Sequence, residues 1–427
     1  MSKLSTRKRK KIDATPFDRF RVPPEQNFFL TPLIWLYCRI CTLGSGLKIK
    51  KTRMEGLKPP FLVLGSHHAW MDFYVTPLAL FPYRANYISE LEGFEFFGEW
   101  FYRQIGCLGT RKFVNDIALV KNIKKVLDRK GILVIYPEAR YANVGTNTDI
   151  PPSVGKMAKK LGVPVVAINM HGNYLQSPIW NTKKRKEARL EAEIAQLFTK
   201  EEVEKATAEQ INSRLSEYLT YDEYKWQLEK KMKITFPERA EGLHKALYRC
   251  HRCNSDFTTD TEGAEIFCRK CGARFTMNEY GQLVENGELF SFSHIPDWYE
   301  WQRQCVHEEI DRGEYSLDVP VHVEALPNAV NFIDCGEGRL EHNKDGFLLT
   351  FKDYGETEEK TMRFPPLSML SVHTEYNYRN WGQCITLSTL DNTYFLFPQG
   401  EGFNATKIQF ATEYMYKKAK KGSEIKK

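Results

Sequence analysis

From residue 47 to about 198, short apolar runs of strand character alternate with longer stretches of helical periodicity, which restricts this part of the chain to an α/β layer fold. The expected strands are 61–65, 85–88, 132–136, 163–169 and 189–195. Between them, 116–127 places Ile117, Val120, Ile123, Val126 and Leu127 on one helical face. Thr199-x2-Glu202 is a capping box, and it predicts a helix over 199–219 that closes the unit.

Directly after the apolar run Phe61-Leu62-Val63-Leu64 comes His67-His68-Ala69-Trp70-Met71-Asp72. An imidazole leaving a buried strand, with a carboxylate five residues on to orient it, suits proton abstraction from a hydroxyl. Alone the spacing says little, because ten histidines and 54 acids in 427 residues produce such pairs by chance. Three further pieces follow in order: Gly106-x4-Arg111, Tyr136-Pro137-Glu138-Ala139-Arg140, and Gly162-Val163-Pro164-Val165.

That order resembles the four signature blocks of the glycerolipid acyltransferases, the 1-acylglycerol-3-phosphate acyltransferase family, over about residues 28–200. The resemblance implies acyl transfer to an alcohol, with acyl-CoA or acyl-carrier protein as donor and lysophosphatidic acid or a related lysolipid as acceptor. An alcohol is a poor nucleophile at neutral pH, so a base must take its proton as it attacks the thioester carbonyl. His67 is expected to be that base and Asp72 its orienter, as in a catalytic triad. Arg111, with Lys112 beside it, offers a guanidinium fork for phosphate. Glu138 and Arg140 stand at a strand's C-terminal end, where α/β proteins bind ligands, and by resemblance bind or shape the acceptor's glycerol phosphate. Gly162 to Val166 reads as a turn entering a buried strand. The third block departs from the family's aromatic-Pro-Glu-Gly-Thr-Arg, since Ala139 alone separates Glu138 from Arg140. Another resemblance, to the HHxxxD signature of CoA-dependent alcohol acyltransferases, would make His68 the base. The position of the motif before Arg111 and Glu138 favours His67.

Cys250-x2-Cys253-x14-Cys268-x2-Cys271 has the spacing of two knuckles closing a tetrahedral thiolate site. Four thiolates leave no open position, so one structural zinc and no organic cofactor are expected, in a segment resembling a zinc ribbon; rubredoxin-like iron is the alternative. Residues 315–398 read as strands, with hairpin signals at Asn343-Lys344-Asp345-Gly346 and Asp391-Asn392, followed by a helix over 405–418. Strands and final helix look like a pleckstrin-homology-like domain.

The expected organisation is therefore a basic arm at 1–27, an interfacial apolar helix within 28–46, and an α/β acyltransferase domain of mixed sheet and helices at 47–240. A zinc ribbon at 241–285, a helical linker at 286–314 and a β-rich pleckstrin-homology-like domain at 315–421 follow. Thr31 is placed to cap the apolar helix, Pro32 to begin it and Gly44 to end it. Six Lys/Arg and no acid within residues 1–12, and six Lys within 417–427, suit an anionic membrane surface. No run of eighteen apolar residues and no signal order occurs, so the expected location is the cytoplasmic face of a membrane, peripheral or monotopic. No nucleic-acid partner is expected, whereas a protein partner for the C-terminal modules is left open. The competing function is a lipid-binding scaffold on an acyltransferase fold, working through its C-terminal modules.

Overall fold

The structure, a computed structural model, describes residues 13–425. The basic run at 1–12 and Lys426 and Lys427 of the basic tail lie outside the described residues.

The first unit contains α1 (Thr31–Cys41), β1 (Lys48–Thr52), β2 (Phe61–Gly65), α2 (Asp72–Leu80), β3 (Asn86–Glu90), α3 (Gly98–Gln104) and β4 (Cys107–Thr110). It continues through α4 (Ile117–Asp128), β5 (Ile132–Ile135), α5 (Pro152–Leu161), β6 (Val165–His171), the single turn α6 (Asn173–Gln176) and β7 (Glu191–Phe198). Three helices close it: α7 (Lys200–Lys205), α8 (Ala208–Leu219) and α9 (Glu223–Glu229). The strands form one seven-stranded sheet in the order β1-β7-β6-β2-β5-β3-β4. Only β6 and β7 pair antiparallel; the other neighbours are parallel. β2 lies in the middle, and all five of its residues are buried, which is why it reads as an unbroken apolar run.

Differences from the expected elements have local causes. β1 is an edge strand of sequence Lys-Ile-Lys-Lys-Thr, too polar to announce itself. The helix predicted over 199–219 is two helices, because a second capping box, Thr207 with Gln210, restarts it after Ala206. Thr31 does not cap α1: its hydroxyl donates to the Asn27 carbonyl, and the Asn27 side chain accepts from the Phe29 and Leu30 amides instead. The segment 13–27 has no regular structure, and it straps the sheet to the C-terminal third of the chain. Arg19 pairs with Asp116, and the Phe17 amide donates to the Pro327 carbonyl.

Next comes a five-stranded antiparallel sheet, β8 (Thr259–Glu262), β9 (Glu265–Cys268), β10 (Arg274–Met277), β11 (Leu283–Glu285) and β12 (Glu288–Leu289). The segment expected to be a linker holds α10 (Ile295–Asp311), whose Trp298 and Val306 are fully buried in one cluster with Phe275 of β10 and Leu340 of the last sheet. α10 is thus a shared core element that ties two sheets together. The last sheet has seven antiparallel strands: β13 (Leu317–Leu326), β14 (Ile333–Asn343), β15 (Gly346–Lys352), β16 (Glu359–Phe364), β17 (His373–Glu375), β18 (Cys384–Ser388) and β19 (Thr393–Pro398). Their order is β16-β15-β14-β13-β19-β18-β17. The turns at 343–346 and 389–392 join β14 to β15 and β18 to β19, as the hairpin signals predict. α11 (Ala405–Ile425) follows, and its Ala405, Ile408, Ala411 and Met415 are buried.

Candidate active site

The chain leaves β2 at Gly65, and that glycine is required by close approach: a Cβ there would come within 2.8 Å of the Tyr136 ring. Two residues on, His67 stacks on Tyr136 with ring centroids 4.4 Å apart, and Phe73 and Tyr141 flank it. Asp72 opens α2 and is fully buried. Its Oδ2 lies 2.9 Å from His67 Nδ1 and accepts the backbone amides of His68 and Ala69 at 2.7 and 3.2 Å. Its Oδ1 accepts Asn173 Nδ2 at 2.7 Å. Four donors thus fix the carboxylate, and the carboxylate fixes the Nδ1–H tautomer of His67. Nε2 then carries the lone pair, and no described residue hydrogen-bonds to it.

His68 is differently placed. Its ring is fully buried, stacked on Tyr221 at 3.7 Å, with Nε2 2.9 Å from Ser66 Oγ. Burial first, then the neighbouring His171 and His67, push its basicity well below that of an ordinary imidazole. Only its backbone amide reaches Asp72, so the oriented imidazole is that of His67.

Glu138 was expected on the acceptor, and the structure places it beneath the histidine loop. Its Oε1 accepts the His67 amide at 3.0 Å, while Oε2 accepts the Thr148 amide at 2.9 Å. Burial pushes its carboxyl up to about 7, against the pull of those amides and of Arg140. Ala139 adopts φ +55°, a left-handed conformation that costs a residue with a Cβ about 1–2 kcal/mol. In this shortened loop, alanine therefore stands where glycine would relax the chain. The Ala142 amide then donates to the His67 carbonyl at 3.1 Å, so the loop after β5 grips both main-chain groups of His67.

The three basic residues expected to hold phosphate are engaged by other groups. Arg111 is buried and donates to the carbonyls of Leu326, Pro327 and Asp391 and to the Thr393 hydroxyl, at 2.7–3.0 Å. Its fork is spent on the last sheet and is not free for phosphate in this arrangement. Lys112 pairs with Glu90 and lies 3.1 Å from His373 Nδ1. Its ammonium is the cation of a buried cluster that also includes Glu92, whose carboxyl burial and the neighbouring Glu90 raise to about 8. Arg140 pairs with Glu413 of α11 and donates to Ser371 Oγ at 2.9 Å.

Sequence reasoning missed Asn173, Tyr136 as a stacking platform, and Glu413. Asn173 follows Asp72 by 101 residues and belongs to no motif, so only the return of β6 beside β2 brings it there. Asn173→Ala is expected to lower kcat about 10- to 100-fold with little change in KM, because a misplaced orienter leaves the base misaligned. An unchanged kcat would reduce Asn173 to packing.

The four cysteines converge. Their sulfurs all lie within 4.8 Å of one another, with Cys250–Cys271 and Cys253–Cys268 at 3.8 and 3.7 Å. A tetrahedron of thiolates about 2.3 Å from zinc has edges of about 3.8 Å, so the donor set fits the ion. Each Cys-x2-Cys pair is followed by a left-handed residue, Asn254 and Gly272, which turns the chain back toward the site.

Comparison with known proteins gives three findings. No curated protein matches the chain. The chain is similar to the crystal structure of PlsC, the 1-acyl-sn-glycerophosphate (LPA) acyltransferase of Thermotoga maritima, at 16% identity and a TM-score of 0.36, covering 45% of this chain and 77% of that one. The family model described as Acyltransferase matches residues 48–171, the span that holds His67, Asp72, Arg111, Glu138 and Arg140. On that match, with an oriented imidazole inside it, the chain carries an acyltransferase domain and is an acyltransferase.

Proposed function

We propose that the chain transfers a fatty acyl group from acyl-CoA or acyl-carrier protein to a hydroxyl of lysophosphatidic acid or a related lysolipid, at a membrane surface. The observation that carries this reading is the Asn173–Asp72–His67 relay, which leaves Nε2 free to take the acceptor's proton as its oxygen attacks the thioester. Glu138 holds the base in place through the His67 amide, and Arg140, in the same loop, supplies the positive charge for the acceptor's phosphate.

Membrane docking is supported by one apolar face. Among the described residues no helix is long and apolar enough to cross a membrane. On α1, however, Leu33, Leu36, Tyr37 and Ile40 are exposed on one helical stripe. Tyr37 packs on Tyr74, Tyr74 accepts the Trp70 indole N–H, and Trp70 meets Phe96, which continues into Phe97 and Trp100. Phe96, Phe97 and Trp100 are 75, 66 and 70% exposed, too much unburied aromatic surface for a side that faces only water. An acyl chain lying in the facing leaflet would reach His67 past Trp70 and Phe73, whose rings pack on each other and, through Phe73, on the His67 ring. A cytoplasmic-face location, peripheral or monotopic, fits this surface and the basic termini.

Burying each such side chain in lipid is worth about 1.5–3 kcal/mol, so Leu36→Glu/Phe97→Glu is expected to weaken binding to anionic vesicles at least about 100-fold. Co-sedimentation checks this, and wild-type retention in the double variant would remove the face from the docking account. Within the same reading, the five-stranded unit with its four cysteines is a zinc ribbon, and the last seven strands with α11 are a pleckstrin-homology-like domain.

The deciding experiment offers the full chain labelled acyl-CoA and acyl-carrier protein with a panel of lysolipids. Product mass identifies donor and acceptor together. Silence across the panel would favour the lipid-binding scaffold instead.

A further inference from the structure

Arg111 and Arg140 are both held by the C-terminal third of the chain, but by groups of different character. Around Arg111 the acceptors are three main-chain carbonyls and a hydroxyl, all neutral and all fixed by the last sheet. Arg140 is held by an anion. Its Nη1 meets Oε1 of Glu413 and also donates to Ser371 Oγ, which in turn donates to that same oxygen at 2.8 Å. The other carboxylate oxygen of Glu413 accepts Arg303 Nη1 of α10 at 2.7 Å.

One carboxylate is thus shared by two arginines, and it can release the first without being stranded. Arg140 has no such freedom. It is only 6% exposed, and a guanidinium buried without a counter-charge is strongly disfavoured. Burial alone would raise the Glu413 carboxyl, but Arg140 and then Arg303 hold it at about 2, so it is an anion at any working pH. Arg140 also lies next to Tyr141, whose ring centroid is 4.5 Å from that of His67. The anion on Arg140 is therefore one residue away from the side chain that touches the base.

We propose that Glu413 is a built-in stand-in for the acceptor's phosphate: it occupies Arg140 in the resting enzyme, and the incoming phosphate displaces it onto Arg303. This rests on the acceptor reading given above. The exchange requires no separation of the shared core, only the carboxylate's move from two arginines to one. It makes α11 the element that registers acceptor binding, and it sets a threshold that neutral or weakly charged acceptors do not cross.

The test is a binding measurement that does not depend on turnover. Octanoyl lysophosphatidic acid, used below its micelle concentration, is titrated calorimetrically into full-length wild type, Glu413→Gln and Glu413→Gln/Arg140→Gln. The expected result is about tenfold tighter binding to Glu413→Gln, since the competing state is removed, with the gain lost in the double variant. Equal or weaker binding to a folded Glu413→Gln would overturn the proposal. Should that variant not fold, two measurements stand in its place. Ser371→Ala loosens the same carboxylate and should bind more tightly than wild type by a smaller factor. In the wild type, saturating ligand should speed amide hydrogen exchange in α11 around residue 413, and a failure of either would equally sink the idea. The two readings fail separately: tighter binding by Glu413→Gln with no acyl transfer on the panel above keeps the exchange and discards the reaction. Acyl transfer without the change in affinity does the reverse.

Discussion

His67→Ala is expected to lower acyl transfer by about 10²–10⁴-fold, the usual contribution of a positioned general base, while leaving the fold intact. The side chain makes one polar bond, to Asp72, and that carboxylate keeps its three other donors when the ring is removed. Tyr136 loses a stacking partner but retains its hydroxyl contact with Thr76 at 2.8 Å. His68→Ala should do the opposite. It empties a fully buried site beneath Tyr221 and breaks the bond to Ser66, so it should lower stability by about 2–4 kcal/mol and spare the chemistry of the folded fraction. Rates normalised to folded enzyme, set beside melting curves, separate the two. A fully active His67→Ala would remove proton abstraction by this residue from the mechanism.

Metal content carries the second large effect. Elemental analysis is expected to give one zinc per chain; iron, or no metal, would overturn the assignment. The two cysteine turns are short, and a structural zinc in such a setting contributes about 10–16 kcal/mol of apparent folding free energy. Chelation, or Cys268→Ser, should therefore melt the five-stranded unit. The damage should spread, because Phe275 and Leu283 of that unit share one buried cluster with Trp298 of α10 and with the last sheet. Activity should fall only as the fold is lost, since a site closed by four thiolates offers no position to substrate. Activity abolished by chelation at full retention of the folded state would contradict a structural role.

Much of the candidate site could be read from the chain because its determinants are local. His67 and Asp72 are five residues apart, and a strand end followed by a helix start brings such a pair together without help from elsewhere. The cysteine knuckles are equally local, each a Cys-x2-Cys turn closed by a left-handed residue. Strands β2, β5 and β6 stood out because a parallel strand covered on both faces is a continuous apolar run. β1 and β4 were hidden for the converse reason: one is a charged edge, the other four residues with a glycine.

The contacts that spacing did not foretell are those made between distant parts of the chain. An arginine after a glycine-containing loop could as well grip a phosphate as a row of carbonyls, and only the arrival of residues 326–327 and 391–393 settles what surrounds Arg111. Glu138 follows a strand as a ligand-binding residue would, yet its partner is a main-chain amide 71 residues earlier. Sequence alone determined the layer fold, the pairing of His67 with Asp72, and the set of four cysteines, because each follows from periodicity or from short spacings along the chain. Tertiary structure alone decided which histidine nitrogen is free, that Asn173 steadies Asp72, and that Glu413 rests on Arg140. The last two contacts join residues about 100 and 270 positions apart, and a pairing at that separation leaves no trace in local spacing; the first rests on ring orientation, which the five-residue spacing of His67 and Asp72 does not set.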